Sequence, residues 1–219
     1  MTSFLNDAIQ FLPILLQGVW LTILVTLGAL VLSSLLGLCW ALALISDIKI
    51  LKVPVRCIVN VIRGIPILVQ LFYIYFVLPD FGISITAFQA AIIGLGIAYS
   101  AYQAENFRSG IEAIDHGQIE AAQSIGMGWL LTMRRVILPQ AFKIALPPYG
   151  NTMVMLLKDS SQASVITVAE LTLQGKLLAA STFKNTSVFT LVAILYLVMS
   201  LPLMQLVSYL EKRFKTGRK

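Results

Sequence analysis

The chain has 219 residues, of which 58% are hydrophobic and only 12% charged. So little charge cannot clothe a water-soluble domain of this size, and spans of about 20 residues each consume the length, so a single polytopic membrane domain is expected. A formal charge of +6 would point to nucleic acid in a soluble protein; in a membrane protein basic residues report the cytoplasmic side, and no nucleic-acid partner is expected.

The N-terminal MTSFLNDAIQFLP lacks a basic region before its apolar run, and that run is too long for a cleaved signal peptide, so it reads as a retained span. No charge occurs between Asp7 and Asp47, which predicts a first transmembrane helix over about 13–45. Gly18, Gly28, Ala29, Ser33, Ser34 and Gly37 recur along it, a pattern that lets a neighbouring helix approach closely. Cys39 and Cys57 are the only cysteines, and neither a disulfide nor a metal site is expected from them.

Residues 46–56 form a basic loop, with Pro54 in the first turn of a second span over about 53–79. Arg63 lies inside that span and must snorkel or pair, and Gly64 and Pro66 imply a locally bent backbone. Phe72, Tyr73, Tyr75 and Phe76 collect at the far end as an interfacial belt. Residues 78–86 carry one acid and no base and read as an external turn before a third span over about 87–110. Near its end Glu105 and Arg108 are spaced i, i+3 and Arg108 and Glu112 i, i+4, so they can pair on one helical face. Either a solvated helix end or a pore-facing cluster fits that spacing.

The longest polar-sided segment follows, IEAAQSIGMGWLLTMRRVILP over 119–139. Asp115 is an N-cap with Gln118 as its capping-box partner, Glu120 lies in the first turn, and Gly126 and Gly128 end the helix. Ala121 and Ala122 put no bulk on it, so another chain can come close. The expectation is a small helical knob, on the side that Arg134, Arg135 and Lys143 mark as cytoplasmic.

The fourth span is expected to be broken. Residues 146–157 are apolar apart from Asn151 and Thr152; Lys158, Asp159, Ser160, Ser161, Gln162 and Ser164 then crowd together before apolarity resumes at 165–168. Charged groups at membrane depth should face protein or water, and a polar break between short hydrophobic pieces is a common way to expose helix ends to a solute. A Lys158–Asp159 pair that only orients the break is the structural alternative. Residues 174–187 read as the last external loop and 188–210 as the final span, so the domain covers 13–211 and a basic cytoplasmic tail covers 212–219. Thirteen of the sixteen bases fall in 46–63, 108–143 and the tail, against Lys176 and Lys184 in the proposed external loops. About five spans, with the N-terminus outside and the C-terminus inside, satisfy that asymmetry.

Three runs carry a resemblance. Glu120, Ala121, Ala122, Gly126, Leu138 and Pro139 match in register the EAA motif of bacterial ABC importer permeases, with Val136 in place of isoleucine. RGIPILVQLFYIYF from Arg63 and GNTMVMLLKDSSQASVITVAELT from Gly150 resemble two runs of the polar amino acid branch, with Ile65 and Ser160 for threonine and Gln162 for leucine. The resemblance implies an all-α, polytopic type I ABC importer permease fold with a cytoplasmic coupling helix. It implies a binding-protein-dependent importer of polar amino acids in the bacterial inner membrane. Its partners would be two ATPase subunits, a second permease subunit, identical or homologous, and an extracytoplasmic solute-binding protein. Glu120, Ala121, Ala122 and Gly126 would couple to the ATPase; Asp159, Ser160, Ser161, Gln162, Asn151 and Glu105 would line the solute pathway.

No Walker sequence, Gly-rich phosphate loop or metal-ligand cluster appears, so ATP and magnesium are expected on the partner ATPase and no cofactor on this chain. A passive channel could use the same broken helix, but an ATPase-docking knob would have no purpose there. A membrane-embedded enzyme would have to work with Glu105, Asp159 and Glu170 and no second histidine beside His116.

Overall fold

A computed structural model describes residues 2–214, and among them the regular structure is helical, without strands. The long helix α1 (Thr2–Ile45) starts well before the predicted 13 and runs past Pro13. Its early charge is satisfied rather than excluded: Asp7 is buried, and Lys184 and Ser187 both donate to its carboxylate. This ion pair ties the first turns of α1 to the last helix.

α1 lies along α4 (Ala87–Glu112), and the small residues make that approach possible. A Cβ on Gly37 would stand 2.6 Å from Gln103 Cβ and 3.0 Å from the Ser100 carbonyl oxygen. Ala29 and Ser33 are fully buried in the same interface, as small residues in a span should be. At the other end a Cβ on Gly18 would stand 2.7 Å from the Leu171 backbone. The main core gathers Val25 and Ala29 of α1, Leu71 and Ile74, Ala91, Leu95 and Tyr99 of α4, and Leu156, Ala163 and Ile166.

The second span is not one helix. α2 (Lys49–Gly64) and α3 (Ile67–Phe72), which continues through a wide turn at Tyr73–Val77 to Leu78–Phe81, meet at 101°. Pro66 has no N–H to continue the ladder and holds Ile65 in extended backbone. Gln70 bridges the gap by donating to the Ile62 and Ile65 carbonyls. α2 therefore crosses the bundle, with Val55 and Val59 on Ala43 and Leu44 at the end of α1 and on Ala101 and Ala104 of α4.

After α4 come α5 (His116–Ser124) and α6 (Trp129–Thr132), then α7 (Leu138–Asp159), a tight 3-10 segment (Ser160–Ile166), α8 (Leu171–Thr182) and α9 (Asn185–Phe214). The predicted external loop at 174–187 is mostly α8. Leu171, Gly175, Leu178 and Ala179 make one buried face against Phe11 and Leu15 of α1 and Val188 and Val192 of α9. α9 reaches Phe214, so Lys212 and Arg213 of the predicted tail are its last turn, and 215–219 lie outside the described residues. Among the described residues α1 and α9 are each long and apolar enough to cross a membrane, and the two bent segments bring that number to at most four. α4, the predicted third span, is less apolar than these and is shielded by its neighbours: its buried residues run from Ala90 to Gly110.

Candidate functional site

The knob forms where the sequence places it. The Asp115 side chain accepts from Gly117 N–H at 2.7 Å, satisfying one orphan donor of α5. The anticipated capping box is absent, because Gln118 turns away and accepts from Gln140 Nε2 at 2.8 Å, linking the knob to α7. The far end closes with two reversed bonds, Met127 N–H to the Ala122 carbonyl at 3.1 Å and Gly126 N–H to Gln123 at 2.9 Å. That pattern requires a left-handed residue, supplied by Gly126 at φ +82°. Ala122 is buried while Glu120 and Ala121 stay exposed. Ile114, Ile137 and Ala141, flanked by Ile119 and Met133, seat the knob on the helices behind it. In front lies an open hollow of about 710 Å³ lined by Asp115, Gln118, Ala121, Ala122, Ile125 and Val136 among others. Ile125 in its lining, and Trp129 and Leu130 just after the knob, are each more than two-thirds exposed.

The break lies at the end of α7. After Asp159 the chain tightens to Ser160–Ile166, turns at Thr167 with φ +67°, and restarts as α8. Asp159 is half-buried, and Tyr99 of α4 donates to it at 2.6 Å. Lys158 is exposed and makes no ion pair with Asp159, so the self-neutralising pair does not form. Ser161 and Gln162 are half-buried beside it, and Asn151 lies two turns earlier on the exposed Asn151, Met155, Lys158 stripe. Ser160 is turned inward, fully buried, donating to the Leu157 carbonyl at 2.7 Å. Ser164 is also buried and accepts from Lys176 Nζ at 3.1 Å.

Glu105 belongs to a different cluster. It pairs with Arg108 at 2.6 Å and Arg63 at 3.6 Å, and Arg108 also reaches Glu112. Arg63 sits over the Tyr102 ring, 5.7 Å from its centroid, which is how a base inside the predicted second span is accommodated. Glu105 is six residues beyond Tyr99, about 9 Å along the helix, toward the knob. The restart after the break is fully satisfied: buried Glu170 accepts from Thr172 N–H, Leu173 N–H and Tyr196 OH, and Leu171 N–H donates to Thr22 Oγ1. Tyr99, Lys176 and the Arg63 pairing were not legible, because their partners lie on other elements.

A helical bundle with a short knob helix between its third and fourth long segments and a polar break in the fourth is the architecture of an importer permease. The match to the binding-protein-dependent transport system inner membrane component family covers residues 33–216, and the chain belongs to that family. Among its relatives, the probable glutamine ABC transporter permease protein GlnM of Bacillus subtilis (strain 168) is 40% identical over 200 residues, covering 91% of this chain and 93% of that one. The glutamine transport system permease protein GlnP of Escherichia coli (strain K12) is 36% identical over 210 residues, covering 93% and 94%. A solved amino acid ABC transporter with histidines superposes with TM-score 0.90 at 40% identity, covering 95% of this chain and 97% of that one. The MetNI methionine ABC transporter, at 23% identity and TM-score 0.78 over 94% and 98%, shares the fold.

Proposed function

We propose that the chain is the non-catalytic permease subunit of an ATP-driven importer of polar amino acids, with ATP and magnesium bound by a separate ATPase. The observation that carries the reading is the pairing of two features in one bundle: a knob closed by Gly126, and an Asp159 carboxylate held by Tyr99 where α7 breaks. The amino acid names of the relatives support the solute class.

The knob is the input. Two ATPase subunits dock on α5 of this chain and of a second permease subunit, with Glu120 and Ala121 presented outward and Gly126 leaving room at the turn. Because α5 is seated on Ile137 and Ala141, movement of the docked partner is passed to α7, whose other end is the break. Asp159, Ser161, Gln162 and Asn151 meet the solute there, while an extracytoplasmic binding protein delivers it. The N-terminus lies outside and the C-terminus in the cytoplasm. Differential contact of the ATPase with two arrangements of the bundle provides alternating access.

The test is to isolate the chain by an affinity tag after co-expression with the ATPase of its own transporter. Stoichiometric retention of an ATPase that hydrolyses ATP supports the reading. A chain that conducts amino acids with no ATPase bound is a passive channel and refutes it.

A further inference from the structure

α2 is divided lengthwise into three sectors. At about 100° per residue, Val55, Val59 and Ile62 form one stripe, laid on the ends of α1 and α4. Beside it run Lys49, Lys52, Arg56 and Asn60, and α2 has no acidic residue. The third and widest sector is apolar and bare: Ile50 is 88% exposed and Val53 64%, with Ile58, Val61 and Cys57 in the same arc. Among the described residues the side chains of Lys49, Lys52 and Arg56 make no hydrogen bond or ion pair, whereas Arg63 is taken by Glu105. The nearest acid in sequence, Asp47, precedes the helix.

Had α2 continued into α3, this base-lined flank would have been carried into the hydrocarbon. The 101° bend turns it across the bundle at the level of Ala43, Leu44, Ala101 and Ala104, toward the ends of α1 and α4 that the distribution of basic residues assigns to the cytoplasmic side. A helix lying across a bundle with one apolar and one basic flank is built to lie in the membrane interface, apolar side among acyl chains and bases at headgroup level. A second copy of α2 is a poor occupant, since it would set the same bases against each other.

We propose that α2 is an in-plane anchor that seats its bare apolar sector in the cytoplasmic leaflet and binds anionic phospholipid headgroups through Lys49, Lys52 and Arg56. The proposal is independent of which solute is carried and of how the ATPase docks. The stems of the three bases lie along the helix and deliver their charges to the phosphate plane.

The chain supplies its own probe. With Cys39→Ser, Cys57 is the single thiol and lies within the apolar sector. The full chain, labelled there with bimane, is placed in nanodiscs of phosphatidylcholine with an equal mole fraction of brominated phosphatidylcholine or brominated phosphatidylglycerol. Both lipids should quench the label, the glycerol lipid more strongly. That excess should vanish in the combined Lys49→Gln, Lys52→Gln, Arg56→Gln chain and persist in Arg56→Lys, while quenching by the choline lipid stays. Absence of quenching by either lipid, or cross-linking of Cys57 between two chains, would show a protein-covered face and overturn the proposal. Equal quenching by the two lipids would remove the headgroup selectivity and overturn it as well.

Discussion

Replacing Glu170 by alanine tests how the break in the membrane is tolerated. A helix that restarts inside the bilayer exposes its first N–H groups where no water can satisfy them. Glu170 is fully buried and takes Thr172 N–H at 2.8 Å and Leu173 N–H at 2.9 Å, one on each oxygen. The alanine variant orphans both, at about 1–3 kcal/mol each, so about 2–6 kcal/mol in total. Tyr196 adds little to the sum, because its hydroxyl keeps Thr172 Oγ1 at 2.9 Å. Glu170→Gln retains one acceptor oxygen and should lose about half as much. Against a total of about 5–15 kcal/mol the alanine loss is large. The thermal midpoint of the purified chain in detergent, followed by fluorescence-detected size exclusion, should fall in the order wild type, Gln, Ala. An Ala variant as stable as the wild type would refute the cap as the element holding α8.

Asp159→Asn should leave abundance and receptor-stimulated ATP hydrolysis unchanged, since no ion pair with Lys158 is broken, but should cut uptake or alter its selectivity; unaltered uptake and selectivity would remove Asp159 from the pathway. Gly126→Asp meets no neighbouring atom and is among the side chains better tolerated at φ +82°, so its main effect is a bulky negative charge at the turn of the knob; ATP-driven uptake should fall through a displaced dock while membrane insertion persists. Normal uptake in that variant would contradict the coupling role. Gly37→Val drives a side chain into Ser100 and Gln103 and should cost about 1–3 kcal/mol, read as a lower thermal midpoint; a neutral result would mean α1 and α4 lie further apart. In a Cys39→Ser, Cys57→Ser chain, cysteines at Asp80 and Ser181 should react with an impermeant thiol reagent from outside and one at His116 should not, and the reverse pattern would invert the topology.

The parts of the fold written in local patterns were legible. The charge-free run to Ile45, the Asp115 start and Gly126 end of the knob, and the polar break after Leu157 all appear where the residues place them. The bend at Gly64–Pro66 was visible as a weak point but not as a right angle, because Gly and Pro mark where a helix can break and not the direction in which the chain leaves it. α8 was missed because Gln174, Lys176, Ser181 and Thr182 outweighed the signal of Leu171, Gly175, Leu178 and Ala179 at helical spacing. Within the site, Asp159 could be picked from sequence as a charge at membrane depth, but its hold by Tyr99 spans 60 positions and depends on α4 crossing α7. Ser160 shows the converse. Its neighbours made it a site candidate, yet a tight turn rotates its hydroxyl onto the Leu157 carbonyl.

The most direct test is solute uptake by proteoliposomes containing this chain with its ATPase and receptor, using a panel of labelled polar amino acids with and without internal ATP. Accumulation of one or a few of them against a gradient, strictly dependent on ATP and receptor and lost with Gly126→Asp, is the predicted result. Equilibration without ATP, or accumulation of none of them by a complex that hydrolyses ATP normally, would contradict the account.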